Sequence, residues 1–142
     1  VVHQAGAAHA ERLRETYRAA GVEAEVPAFI DDMAACYGEA DLLVCRAGAT
    51  TVTELAVAGV GSILVPFPHA EDDHQTRNAR YVADRGAALL MPQKDLTPGV
   101  LAGVLRGMTR GKLLEMARAA RAAGKPDAAI RVADYCMELA PA

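Results

Sequence analysis

Glu54, His69, Glu71, Asp72, Asp73, His74, Gln75 and Asn78 place four carboxylates, two imidazoles and two amides in one short stretch of the chain. Carboxylates accept hydrogen bonds from hydroxyls or hold cations, and neutral amides both donate and accept. A buried core would not tolerate so many unpaired polar groups, so they belong at an edge that meets ligand or water. His69-Ala70-Glu71-Asp72-Asp73-His74 offers ligand types suited to zinc, manganese or magnesium. Its spacing matches no zinc motif such as H-E-x-x-H, and an Asp-rich loop before a helix is also the ordinary way to cap that helix. Gln75 and Asn78 lie three apart at a helix start and share a face, which suits recognition of neutral hydroxyls.

Two further features bear on binding. Gly48-Ala49-Thr50-Thr51 leads from an apolar run into a helix. Amides at a helix N-terminus attract anions, and small residues let a phosphate approach; the plainer alternative is a tight turn with a Thr cap. The segment is neither G-x-G-x-x-G nor a Walker A loop. Thr51-x-x-Glu54 matches a capping box. A carboxylate at a sheet edge can instead bind the vicinal diol of a ribose, but spacing alone favours the cap. No carboxylate pair has acid–base spacing, no G-x-S-x-G elbow occurs, and Cys45 beside Arg46 lacks a His-plus-Asp partner set. The residues describe a binding surface without a catalytic group of its own.

The elements that must position them alternate. Strands are expected at Val1–Gln4, Ala24–Ile30 (broken by Pro27), Asp41–Cys45, Ser62–Val65 and Ala88–Met91. Helices are expected at Ala7–Ala20, Met33–Glu39 (capped by Asp31 or Asp32), Thr51–Ala58, from a cap at Asp73 to Arg85, Val100–Met108 (after a helix start with Thr97 as cap and Pro98 as first helical residue), Lys112–Ala123 and Ala128–Leu139. The uninterrupted apolar runs Leu42-Leu43-Val44 and Ile63-Leu64-Val65 fit strands buried on both faces. Strand–helix alternation then predicts an α/β fold: right-handed βαβ units forming a Rossmann-like parallel sheet with helices on both faces. The ligand edge of such a sheet lies outside the carboxyl ends of its strands, where the polar cluster falls. The narrow stripe Ala129, Ala133, Cys136 and Ala140 predicts close docking of the last helix on another element.

Composition bounds the rest. The 142 residues are 52% hydrophobic and 23% charged, with net charge −3, which is globular and suited to one domain. No basic run and no Trp are present, so nucleic-acid binding is not expected. No apolar stretch reaches the length of a transmembrane helix. Cys36, Cys45 and Cys136 read as reduced, buried thiols. The chain opens on what looks like a strand end with no Met, so it is expected to be a piece of a longer protein.

The run CRAGATTVTELAVAGVGSILVPFPHAEDDHQTRNA, with HQAG near the start, FIDDMA at 29–34 and the closing KPDAAIRVADYCMELA, resembles the MurG family of bacterial N-acetylglucosaminyltransferases. The resemblance implies the C-terminal, donor-binding half of a two-domain GT-B enzyme, lacking its first strand and its acceptor domain. The parent enzyme would be inverting. It would transfer N-acetylglucosamine from UDP-N-acetylglucosamine to lipid I, forming lipid II for peptidoglycan, at the inner face of the cell membrane. Lipid I would be bound mainly by the absent domain, which would also supply the catalytic base. No cofactor and no required metal are implied. The resemblance sets the Phe29 and Ile30 backbone at the uracil. It sets Arg46, Gly48, Ala49, Thr50 and Thr51 at the diphosphate, Glu54 at the ribose, and Gln75 with Asn78 at the sugar. His74 falls near the phosphates. The residues alone leave open a related transferase for another UDP-sugar, or a stand-alone nucleotide- or metal-binding module.

Overall fold

The computed structural model describes residues 1–140, apart from the side chain of Glu71. The chain divides into two compact units, Val1–Cys36 and Tyr37–Ala142.

In the first unit the two expected strands shrink to one parallel bridge between Val2 and Glu25. His3 N–H donates to Glu25 O at 2.9 Å, and Glu25 N–H donates to Val1 O at 2.8 Å. The ladder loses one bond because Pro27 has no N–H to give, although the Ala5 N–H still donates to Pro27 O at 3.3 Å. A side chain takes over instead: Gln4 Oε1 accepts the Ile30 N–H at 2.9 Å. Helix α1 (Ala10–Ala19) starts three residues later than the expected Ala7. Arg14 ties it to the extended segment through Val26 O at 2.8 Å. Of the two candidate caps for helix α2 (Met33–Glu39), Asp32 acts, accepting the Ala35 N–H at 2.8 Å.

The second unit carries the sheet: β1 (Leu43–Cys45), β2 (Ser62–Leu64) and β3 (Ala88–Leu90), all parallel and in that order. Each is shorter than expected, yet the outer residues still bond. Val65 N–H reaches Cys45 O at 2.8 Å and Met91 N–H reaches Leu64 O at 2.9 Å. Neighbouring parallel strands need crossovers, supplied by helix α3 (Ala49–Ala58) between β1 and β2 and helix α4 (His74–Ala83) between β2 and β3. Ile63 and Leu64 are both 0% exposed. Successive strand residues face opposite sides, so β2 is covered on both faces, as its apolar run requires. Each such side chain contributes about 1.5–3 kcal/mol by leaving water.

Helix α5 (Pro98–Arg106) begins at Pro98, as the Thr97-Pro98 pair predicts, and helix α6 (Arg110–Ala123) begins two residues before its expected start. Thr97 Oγ1 accepts the Val100 N–H and Thr109 Oγ1 accepts the Lys112 N–H, each at 3.2 Å. The end of α6 presses on α3: a Cβ on Gly124 would lie 2.8 Å from Ala56 O. Gly59 ends α3 in the left-handed region, φ +76, where glycine is tolerated without cost from a Cβ.

Helix α7 (Ala128–Leu139) corrects the expectation of a docked stripe: none of its residues is buried. Ile130, Val132, Tyr135, Met137 and Leu139 are 63–70% exposed. Small residues make close packing possible without supplying a partner surface. Cys136 is likewise exposed and Cys36 and Cys45 are half-buried, so the three thiols are not uniformly buried. Among the described residues no helix is long and apolar enough to cross a membrane. The expected open parallel α/β sheet is what the second unit forms.

Candidate functional site

Three parallel strands joined by crossovers release their chains at one edge. There lie Arg46-Ala47-Gly48 after β1, Val65-Pro66-Phe67 after β2, and the 3₁₀ turn Gln93–Asp95 shortly after β3. Gly48 is the N-cap of α3, extended at φ −62 and ψ 149, and no side chain caps the helix. The first turn of α3 therefore presents its amides beside Gly48, Ala49 and Thr50 without a local acceptor from the cap residue.

This start overturns the capping-box expectation. Because the chain enters the helix at Ala49, Thr51 is already in the first turn and cannot be the cap. Glu54, freed from that role, is exposed and accepts a hydrogen bond from the Tyr37 hydroxyl at 2.9 Å. Asp73 does hold the cap position of α4, but its side chain bonds no helix amide. Asp72 and Asp73 are both left-handed, φ 49 and 52, and the Asp73 carboxylate goes to the Thr76 hydroxyl instead. Helix α4 ends at Ala83, short of the expected Arg85.

The two amides of α4 face inward to the strand exits. Gln75 Oε1 accepts the Phe67 N–H at 2.9 Å, and Asn78 Nδ2 donates to Ala47 O at 3.0 Å. Arg46 spans further. Its Nη1 lies 3.3 Å from Val65 O and 3.2 Å from Pro66 O, and its Nη2 donates to Gln93 Oε1 at 2.7 Å. The guanidinium sits 5.4 Å from the Phe67 ring centroid, within cation–π range. His69, Asp72, Asp73 and His74 are exposed. Among the described residues, no three His, Cys, Asp or Glu side chains are grouped to hold a metal ion.

In the first unit Phe29 is 67% exposed, and the Ile30 N–H is committed to Gln4. Burial pushes the Cys45 thiol up to about 11, so it stays protonated at neutral pH and is a poor nucleophile. The sequence reading missed Tyr37 and Gln93. Tyr37 was legible only as a polar tip in an otherwise apolar helix. Gln93 gave no local signal, because its partner is 47 positions away.

The comparisons with known proteins follow this geometry. The model of the glycosyltransferase family 28 C-terminal domain matches residues 1–132. Two curated relatives carry the name UDP-N-acetylglucosamine–N-acetylmuramyl-(pentapeptide) pyrophosphoryl-undecaprenol N-acetylglucosamine transferase. The one from Nitrosospira multiformis is 58% identical over 98% of this chain and 39% of its own length. The one from Aromatoleum aromaticum is 60% identical over 99% of this chain and 39% of its own. The chain thus spans about 39% of the curated relatives it matches. The crystal structure of Acinetobacter baumannii MurG superposes with a TM-score of 0.91 at 45% identity, covering 97% of this chain and 42% of that one. An uncapped helix start at the exit of a parallel strand, a family match over residues 1–132 and this superposition agree, and the resemblance to MurG is borne out: the chain belongs to glycosyltransferase family 28, as a C-terminal domain of that family.

Proposed function

We propose that the chain is the donor-binding part of an enzyme that transfers N-acetylglucosamine from UDP-N-acetylglucosamine to lipid I, forming lipid II for peptidoglycan. The observation that carries this is the start of α3: its uncapped amides open at the sheet edge directly after β1. Such a terminus holds a diphosphate through N–H groups and offsets the charge that develops as UDP leaves. Gly48, Ala49, Thr50 and Thr51 line that terminus, and Arg46 stands one residue before its buried neighbour Ala47.

Glu54, projecting from the same helix and steadied by Tyr37, accepts hydrogen bonds from the ribose hydroxyls. Gln75 meets the acetamido sugar with its amide nitrogen, since its oxygen already serves the Phe67 N–H. Asn78 supports it from the next turn, and exposed His74 lies toward the phosphates. Phe29 and Ile30 serve the uracil; with the Ile30 N–H taken by Gln4, the Ile30 carbonyl is the backbone group offered to the base. The reaction class is inversion by direct displacement. A base outside this chain removes the proton of the acceptor hydroxyl, the acceptor oxygen bonds to the sugar C1 from the opposite face as the C1–O bond to UDP breaks, and the diphosphate takes the electron pair. The parent enzyme would work on the cytoplasmic face of the membrane as a peripheral protein.

Titration calorimetry of the chain with UDP, UDP-N-acetylglucosamine and UDP-glucose tests the reading. UDP and UDP-N-acetylglucosamine should bind, the second more tightly than UDP-glucose, with no turnover when a lipid I analogue is added. Failure of UDP to bind a folded chain would overturn it.

A further inference from the structure

We propose that Arg46 is a positioning residue, the tie that holds three strand exits at fixed spacing, acting on a nucleoside diphosphate only through them. Arg46 is exposed, yet both terminal nitrogens of its guanidinium contact the protein. One lies between Val65 O and Pro66 O, the other donates to Gln93, and Phe67 stands by the group. A guanidinium that grips phosphate presents its fork outward, two parallel N–H groups to two oxygens. Here the fork is turned onto the chain exits of β2 and β3.

The contacts close a ring. Arg46 holds Val65 and Pro66; the next residue, Phe67, donates its N–H to Gln75; Gln75 shares α4 with Asn78; and Asn78 returns to Ala47, beside Arg46. Two of these links carry the residues expected to read the sugar. Slackening Arg46 therefore loosens Gln75 without touching it. Proline at 66 and 68 leaves Phe67 as the one residue of that trio with an N–H, so the Gln75 bond uses the one backbone donor that these residues can offer α4. Lysine cannot replace the fork, because one ammonium on a flexible stem cannot reach both strand exits in fixed geometry.

The ligand arm of this proposal rests on the donor-site reading; the structural arm does not. Arg46→Lys, Arg46→Gln and Gln93→Ala are compared with the natural chain by amide hydrogen exchange at Phe67, without ligand, and by UDP affinity. Both Arg46 variants should speed Phe67 exchange about tenfold, and Gln93→Ala about threefold, because local opening becomes easier. Both Arg46 variants should weaken UDP about equally although lysine keeps the charge, and Gln93→Ala should weaken it although the arginine remains. Unchanged Phe67 exchange in Arg46→Gln and Gln93→Ala would overturn the proposal. So would Arg46→Lys binding UDP as the natural chain does while Arg46→Gln loses it, the signature of direct charge contact. If Arg46→Gln does not fold, the exposed Gln93→Ala variant decides. A natural chain that binds no UDP overturns the donor-site reading, and exchange at Phe67 then decides the tie alone.

Discussion

The buried ring of Tyr37 sends its hydroxyl to Glu54 Oε2 at 2.9 Å, fixing an exposed carboxylate from a separate helix. A capping glutamate would fold back on its own helix; this one is held out from α3 by α2. The distinction matters because a steadied carboxylate loses less freedom when it accepts two ribose hydroxyls.

Glu54→Gln therefore tests recognition with little cost to the fold, since no helix amide depends on the carboxylate. The expected result is an unchanged melting temperature with UDP binding weakened about tenfold, in line with loss of charge-assisted hydrogen bonds. The natural chain should prefer UDP over 2′,3′-dideoxy-UDP, and the variant should not; equal preference in both would remove Glu54 from the ribose.

Tyr37→Phe separates support from contact. It deletes one hydroxyl and leaves the ring packed, so stability should fall by about 1 kcal/mol. UDP affinity should fall less than in Glu54→Gln. Denaturant titration and calorimetry on the same samples give both numbers.

Gln75→Glu keeps an acceptor for the Phe67 N–H but removes the amide donors and adds charge near the expected diphosphate. Binding of UDP-N-acetylglucosamine should weaken more than binding of UDP. An equal loss for both ligands would mean that Gln75 acts on the loop and not on the sugar.

Gly124→Ala places a methyl 2.8 Å from a backbone oxygen that cannot swing aside. Overpacking of this kind costs roughly 1–3 kcal/mol. A melting temperature equal to that of the natural chain would show that α6 slides on α3 more freely than their contact suggests.

Thiol chemistry and alkaline stability share one cause. Cys136 is exposed, whereas burial raises the Cys45 pKa from 9.0 to about 11. Maleimide should label Cys136 at neutral pH well before Cys45. The folded state holds the Cys45 proton more tightly than the unfolded chain does. Its contribution to stability is therefore complete below pH 9.0 and is lost as pH rises toward about 11. Melting curves across that window should fall less steeply in Cys45→Ala.

What the sequence disclosed follows from the range of each signal. The apolar run Ile63-Leu64-Val65 named a strand buried on both faces, because such burial leaves no room for polar residues; the run Leu42-Leu43-Val44 named a strand as well but not its burial, since Val44 is 46% exposed at the edge of the sheet. Thr97 before Pro98 named a helix start, because cap and first turn are adjacent in the chain. Thr51 and Glu54 misled for the same reason: the local pattern was sound, but Gly48 let the helix begin earlier. The strand expected at Ala24–Ile30 was over-read across Pro27. Arg46 with Gln93 was beyond reach, since nothing near either residue announces a partner so distant. The roles expected of the site residues came from the resemblance, while the bonds of Gln75 and Asn78 to strand exits came only from the structure.

The ring around the strand exits is tied mainly from side chain to main chain: Arg46 to two carbonyls, Asn78 to a third, Gln75 to an amide. A carbonyl is the same group whatever residue carries it. Evolution can therefore exchange the residue at the receiving end without breaking the tie. Paired substitution across relatives will mark Tyr37 with Glu54, where two side chains must suit each other, and will pass over Arg46 with Pro66. Maps of contact drawn from covarying positions will in this way underweight the framework that spaces the strand exits.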